Sequence, residues 1–330
     1  MKNSNLIYFE QNAEEMLLPI LQKQPDYYVL CDENTARFCL PDFQKQFGKT
    51  DAEHLLIMPA GENHKNLDTA CMIWEKLQQT EARRDSLLIN LGGGTVCDLG
   101  GFVASTWKRG MHFINVPTTL MAQCDAAIGG KNGLDFGGLK NQIGLFRPAD
   151  AVCIFPAFLQ TLPERELKSG FAEMLKHGIL ADATYYRKLK NIRIFSEILQ
   201  HPEWIRHSVN LKMRFVKKDV DEQNERRALN FGHSIGHAYE ALFKGRLSHG
   251  EAIAHGMRAE ALMAVEAGIL PENDFKDIEN TLLQLYGTLP QDDIDPKDFE
   301  RCMRADKKRN RDTFPFAVPS AIGKWTLMNQ

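Results

Sequence analysis

The chain has 330 residues, 43% of them hydrophobic and 25% charged, with a formal net charge of −3. These values suit a soluble globular chain of two domains and give no reason to expect binding to nucleic acid or an anionic membrane. No apolar run approaches the roughly 20 residues that span a bilayer, and the opening MKNSNLIYFEQNAEEM has no apolar signal core.

The first half alternates strand and helix signals. YYVLCD (27–32), HLLIMPAG (54–61), SLLINLGGG (86–94), HFINVPTT (112–119) and AVCIF (151–155) are short apolar runs bounded by turn residues. Runs of this kind suit a parallel sheet covered on both faces. Between the second and third, Leu67, Ala70, Cys71, Trp74 and Leu77 recur at helical spacing behind Asn66, a candidate N-cap. The expected first domain is therefore a Rossmann-like α/β unit over 1–155 with a mostly parallel sheet. Beyond it strand signals fade. Helices are expected near 163–180, 203–220, 228–244, 251–268 and 273–285, giving an all-α domain over 156–330. With no long linker visible, a cleft between the domains is the default place for a site. The seven cysteines contain no CxxC pair. They fit reduced thiols and a cytoplasmic location better than a disulfide framework.

Six stretches carry chemistry. LGGGTVCDLGGF (91–102) follows a strand and opens a helix, so its glycines let backbone approach a phosphate at a helix N-terminus. A tight strand-to-helix turn is the plain alternative. AGENHK (60–65) adds Glu62 and Lys65, a pair that could grip a ribose and a phosphate or simply be solvated. VPTTLMAQCDAAIGGKNGLDFGGLKNQIG (116–144) sets Asp125, Lys131, Lys140 and Asn141 among glycines, either toward an anionic ligand or in a mobile surface loop. LPERELKSGFAEMLKHGIL (162–180) places Glu173, Lys176 and His177 on one helical face. Finally, LNFGHSIGHAYE (229–240) and LSHGEAIAHG (247–256) supply His233, His237 and His249. A catalytic zinc site usually takes three protein ligands and keeps one position open. Three histidines plus Glu173 make one candidate too many, and spacing alone pairs His233 with His237.

Taken in series, these stretches, with LKNQIGLF, SHGEA and DKK (306–308), resemble the 3-dehydroquinate synthase family, from about residue 30 to 310. The resemblance implies a cyclising phosphorus–oxygen lyase of the shikimate pathway to chorismate and the aromatic amino acids. It would use NAD and a divalent metal, zinc most often and cobalt as an alternative. The implied substrate is 3-deoxy-D-arabino-heptulosonate 7-phosphate. The implied route is transient oxidation by NAD⁺, phosphate elimination, return of the hydride, ring opening and an intramolecular aldol closure. By the same resemblance the metal ligands are Glu173, His233 and His249, which leaves His237 as an acid/base group. NAD contacts would be Asp32, Asn34, Glu62, Lys65, Gly93, Gly94 and Asp98, then Thr118, Thr119, Lys131, Lys140, Phe158 and Thr161. Asp125, Lys131, Asn141, Lys176, Lys212, Glu222, Arg226 and Asn230 would form the substrate shell. One lysine of DKK, Lys307 or Lys308, would join it. Arg109 would reach a neighbouring subunit's phosphate site, implying a homodimer.

Four positions depart from the family pattern. Cys97 and Asn224 sit where glycine is usual, so Cys97 would be strained in a left-handed backbone while asparagine tolerates one. Asn132 replaces a threonine and Asp135 an asparagine. Two other activities remain in view. A related sugar phosphate cyclase keeps the metal triad, and a metal-dependent polyol dehydrogenase shares the fold. A neutral polyol, however, needs no shell of lysine and arginine.

Overall fold

The computed structural model describes residues 6–23, 26–243, 245–290, 294–305 and 315–329, and the chain divides into two units, Met1–Leu162 and Pro163–Gln330. Lys307 and Lys308 lie outside the described residues.

In the first unit the strands are β1 (Ile7–Phe9), β2 (Tyr27–Asp32), β3 (Leu55–Met58), β4 (Leu87–Gly92), β5 (His112–Pro117), β6 (Lys131–Phe136), β7 (Leu139–Phe146) and β8 (Ala151–Ile154). The helices are α1 (Glu10–Lys23), α2 (Glu33–Phe38), α3 (Leu40–Phe47), α4 (Leu67–Gln79) and α5 (Gly94–Thr106). Six strands form one sheet in the order β1-β8-β5-β4-β2-β3, every pair parallel. The runs that looked continuous in the sequence are continuous here because both faces are covered; every residue of β4 is buried. Asn66 caps α4 by accepting from the Thr69 amide at 3.0 Å. The chain passes from β2 out to β3 and returns to the other side of β2 as β4. That reversal is a topological switch point, and the carboxyl ends beside it are the usual place for a ligand. They end at Asp32 and at Gly92.

Three strands of this unit were not expected, nor were α1, α2 and α3. Strand β1 is only three residues long. Strands β6 and β7 form an antiparallel hairpin over much of the stretch read as a glycine-rich loop. Its turn is Gly137-Gly138, both with positive φ, as a tight hairpin requires. The unit also runs to Leu162 rather than 155, because Phe155 and Phe158 pack into its core with Cys31, Phe47 and Val116.

The second unit contains α6 (Glu164–Ala181), α7 (Ala183–Leu189), α8 (Pro202–Lys218), α9 (His233–Phe243), α10 (His249–Glu266), α11 (Glu272–Tyr286) and α12 (Pro296–Ala305). It is helical but not all-α: β9 (Pro315–Ala321) and β10 (Lys324–Asn329) form an antiparallel hairpin. Helix 228–244 is also corrected. A 3-10 turn covers Glu225–Asn230 and α9 begins at His233, because Gly232 between them takes φ +80°. Helix α6 is buried from Ser169 through Leu180. That run includes Glu173, Lys176 and His177, ionisable groups whose burial is costly unless used.

Candidate nucleotide and metal sites

The candidate nucleotide site lies at the switch point of the first unit. Gly93 and Gly94 have no positive φ; they are needed for close approach. A Cβ at Gly93 would sit 3.0 Å from Thr119 Cγ2, and one at Gly94 would sit 3.2 Å from Ala126 Cβ. The Thr118 amide donates to the Gly92 carbonyl at 2.9 Å, bringing Thr118 and Thr119 to the glycine turn. The N-cap residue of α5 is Gly93, which has no side chain to cap the helix, and uncapped helix N-termini of this kind favour anions.

Lys65 organises the neighbouring polar groups. It is 3% exposed and donates to Asp98 and to Asn141, both at 2.6 Å. Burial alone would depress its ammonium, but Asp98 and Glu62 outweigh that and hold it above the ordinary lysine range. Glu62 accepts from Thr95 at 2.6 Å and lies 3.8 Å from Lys140. Asp135 accepts from the Asn141 amide at 2.8 Å. Glu62, Lys65, Asp98, Lys140 and Asn141 thus form one cluster. Asp32 caps α2 through the Thr35 amide at 2.7 Å, so one of its carboxylate oxygens is already engaged. The buried Cys39 thiol interacts with Thr161 and Thr118, which links those two residues; burial first, then Asp32, pushes that thiol up to about 11. Asp125 sits in a π-helical turn, Ala122–Ala126, a local widening frequent at functional positions. Asn34, Lys131, Thr161 and Arg109 are exposed, and Phe158 belongs to the core.

The departures resolve locally. Cys97 lies within α5 and has no positive φ, so the expected strain is absent. Asn224 has φ −136°, not left-handed. Asn132 donates to the Gly130 and Arg147 carbonyls at 3.1 and 2.7 Å, tying β6 to the chain after β7. Left-handed backbone occurs instead at Glu10, Glu81, Lys108, Arg109, Asn141 and Glu222 among the described non-glycine residues; of these Arg109, Asn141 and Glu222, with φ of 69°, 54° and 57°, are expected site residues. Strain of this kind at non-glycine residues concentrates at functional positions, and nothing in the residue types announced it.

The candidate metal site lies in the second unit. Glu173 comes from α6, His233 and His237 from α9, and His249 from α10. Gly250 allows the crossing of α6 and α10, since any Cβ there would overlap the Ser169 backbone. The Gly250 amide also donates to Ser169 Oγ at 3.0 Å, one helical turn before Glu173. A capping box between Ser248 and Glu251 fixes the start of α10, and Lys168 holds Glu251 at 2.7 Å. The crossing and the cap together set His249.

Glu173 is 0% exposed, and its Oε1 accepts no hydrogen bond among the described residues. The Lys176 ammonium lies against Oε2. Oε1 faces His233 Nε2 at 3.6 Å and His249 Nε2 at 4.0 Å. The other nitrogen of each ring is engaged: His233 Nδ1 with the Phe231 carbonyl at 3.3 Å, and His249 Nδ1 with Glu240 Oε2 at 3.2 Å. Such partners fix the tautomer and leave Nε2 as the free lone pair. Burial, then the Lys176 charge and the two neighbouring imidazoles, hold His233 well below the ordinary histidine range, in its neutral ligating form. A buried carboxylate with one oxygen paired to Lys176 and the other without a hydrogen bond and faced by two aimed imidazoles fits a divalent metal. His237 is also within reach: nitrogens of His233, His237 and His249 lie within 4.8 Å of one another. The geometry therefore contains two candidate triads that share His233 and His249.

Elsewhere in the second unit Lys212 and Arg226 are buried, at 5% and 1% exposure. Arg226 Nη1 donates to the Val220 carbonyl at 2.7 Å. Asp219 accepts the amides of Gln223, Asn224 and Arg226 and so shapes the loop before the 3-10 turn. Asn230 donates to Glu222 at 2.8 Å. Sequence reasoning missed Thr95, Asp219 and Glu240. Acidic residues on helices and loops are usually solvated, so only the partner reveals their roles.

Residues 55–169 match the family described as 3-dehydroquinate synthase N-terminal, and residues 170–309 the one described as 3-dehydroquinate synthase C-terminal. A 3-dehydroquinate synthase from Parabacteroides distasonis is 37% identical over 311 residues, covering 91% of this chain and 86% of its own. The chain belongs to the 3-dehydroquinate synthase family. A second member, from Pyrococcus abyssi, is 41% identical over 272 residues, 82% of this chain and 80% of its own. Two solved structures share the fold. One is ValA, a 2-epi-5-epi-valiolone synthase from Streptomyces hygroscopicus subsp. jinggangensis 5008 with NAD⁺ and Zn²⁺ bound (TM-score 0.85, 23% identity, 100% of this chain and 94% of that one). The other is 2-deoxy-scyllo-inosose synthase with carbaglucose-6-phosphate, NAD⁺ and Co²⁺ (TM-score 0.85, 24% identity, 98% and 92%).

Proposed function

We propose that the chain is an NAD- and divalent-metal-dependent lyase. It converts 3-deoxy-D-arabino-heptulosonate 7-phosphate into 3-dehydroquinate and inorganic phosphate. The observation that carries this reading is the buried Glu173 carboxylate, whose Oε2 is paired with Lys176 while its Oε1 has no hydrogen bond among the described residues and faces His233 Nε2 and His249 Nε2, in a member of the family. When bound, NAD⁺ supplies a hydride acceptor and the metal a Lewis acid at the hydroxyl being oxidised.

The chain's own residues have separate tasks. Glu173, His233 and His249 hold the metal, zinc or cobalt. His237 is left to move protons at its imidazole, one helical turn from His233. Lys176, Lys212 and Arg226 bring positive charge to a substrate with both a carboxylate and a phosphate; arginine grips such groups bidentately and lysine acts as a point charge. Glu222 orients the Asn230 amide through their 2.8 Å hydrogen bond. Asp125, Lys131 and Asn141 belong to the same substrate shell. NAD is bound at the carboxyl ends of β2 and β4, with the cluster around Lys65 holding the loop that carries Glu62. Arg109 serves the phosphate site of a partner copy in a homodimer. No helix among the described residues is long and apolar enough to cross a membrane, and we place the enzyme in the cytoplasm.

The test is an assay of phosphate release from the heptulosonate phosphate with NAD⁺ and Zn²⁺, with NADH absorbance followed alongside. The expected result is stoichiometric phosphate and dehydroquinate without NADH accumulation. Steady NADH build-up from a polyol would make the chain a dehydrogenase. Turnover of glucose 6-phosphate or sedoheptulose 7-phosphate in place of the heptulosonate would make it another cyclase.

A further inference from the structure

One buried carboxylate of the second unit has no part in the roles above. Glu260 lies on α10, eleven residues (260 minus 249) and so about three helical turns beyond His249. It is 0% exposed. Its Oε2 accepts the Gly232 amide at 2.7 Å, and its Oε1 accepts the Ile235 amide at 3.2 Å. Both amides belong to the start of α9, the turn that carries His233.

A helix start leaves amides without partners, and a carboxylate is the best acceptor for them because its charge also opposes the helix dipole. Normally the residue before the helix supplies that acceptor. Here that residue is Gly232, at φ +80°, and no side chain fits: a Cβ at Gly232 would lie 2.8 Å from the Met257 backbone nitrogen. Gly236 is equally constrained, 3.0 Å from the Ala252 carbonyl oxygen, and a Cβ at Gly256 would overlap the Gly232 carbonyl. The two helices that carry the histidines thus meet backbone to backbone. The cap for one is supplied by the other.

We propose that Glu260 is a positioning residue for the metal centre. Its bidentate grip on the Gly232 and Ile235 amides fixes the start of α9 against α10, and with it the placing of His233 Nε2 relative to His249 Nε2. The proposal rests on the metal reading above. Glu260→Gln keeps the side-chain shape but replaces one acceptor oxygen with an NH₂ that opposes a backbone amide.

The probe is Co²⁺ alone, added to the full-length metal-stripped protein, with affinity read by chelator competition and ligand geometry by the visible absorption of bound Co²⁺. Glu260→Gln is expected to bind Co²⁺ roughly 10- to 100-fold more weakly, the range for residues that orient metal ligands, with shifted absorption bands. The control is Glu279→Gln. It breaks a contact of α10 with α11, the pair of Glu279 with Arg258 at 2.7 Å, without touching α9. It should leave affinity and spectrum as in the wild type. Unchanged Co²⁺ binding in Glu260→Gln overturns the proposal, as does an equal loss in Glu279→Gln. If the wild type itself takes up no Co²⁺, the metal reading falls and this proposal falls with it. Should Glu260→Gln fail to fold, hydrogen exchange on the wild type decides. The Gly232 and Ile235 amides should exchange slowly, and fast exchange at either overturns the assignment.

Discussion

The two overlapping triads can be separated by exchanging one member of each. Glu173→Gln keeps the shape of the side chain and removes its charge; His237→Ala removes an imidazole. The magnitude follows from the geometry. Glu173 is fully buried, and its Oε1 lies 3.6 to 4.0 Å from both shared histidine nitrogens. A unit charge pair at about 4 Å and an effective dielectric of about 20 is worth about 4 kcal/mol, and a divalent ion would double that. Even if most of this is lost to desolvation of the ion, roughly 3 kcal/mol remains, about 100-fold in affinity. Glu173→Gln should therefore bind Zn²⁺ at least about 100-fold more weakly. His237→Ala should stay within about 10-fold of wild type while losing turnover. The assay is chelator competition with Zn²⁺ on metal-stripped protein, beside elemental analysis of the protein as purified. The reasoning is refuted if His237→Ala comes out metal-free, or if Glu173→Gln retains full metal.

Three further outcomes follow from named contacts. Glu240→Ala removes the partner of His249 Nδ1 at 3.2 Å and should weaken Zn²⁺ binding roughly 10- to 100-fold, read by the same competition. His255 is 6% exposed, and burial, aided by the Arg258 charge, lowers it from 6.5 to about 4. The unfolded state therefore binds its proton first as pH falls. Stability from this group is full above pH 6.5 and declines between 6.5 and 4, by about 3 kcal/mol in total at 1.36 kcal/mol per unit. Urea unfolding of wild type and His255→Leu across that window should show the steeper decline in wild type, and parallel curves would exclude the assignment. Mixing an Arg109→Ala chain with a His237→Ala chain should restore part of the activity if Arg109 acts across a homodimer. No rescue in verified heterodimers would remove that role.

The sheet was legible in the sequence because its strands are buried on both faces and so read as unbroken apolar runs. Strands β2 to β5 and β8 fall where those runs lie. The hairpin β6–β7 was not, for the opposite reason. Nearly every residue of β7 is exposed, so no alternation marks it, and only the Gly137-Gly138 turn gave a signal. In the second unit, β9 carries Pro315 and Pro319, residues that argue against a strand by removing ladder donors. The start of α9 was misplaced because the break before it is made by the positive φ of Gly232, which the residue types before His233 do not announce.

The site divides in the same way. Histidines and glycines announce themselves by spacing, whereas the acidic residues that orient them do not. Glu240 and Glu260 are ordinary helix residues until their partners are seen, a histidine nitrogen for one and two backbone amides for the other. This matters for the pair His233 and His237. Their four-residue spacing shows only that both face one side of α9, with ring centroids 5.2 Å apart. A nitrogen becomes a ligand when its opposite nitrogen is held, and that is set from outside the helix. For His233 the Phe231 carbonyl does it, and for His249 the carboxylate of Glu240. Both rings are thereby turned so that Nε2 faces Glu173. The division of labour proposed for the two neighbouring histidines thus depends on residues with no metal-binding signature of their own.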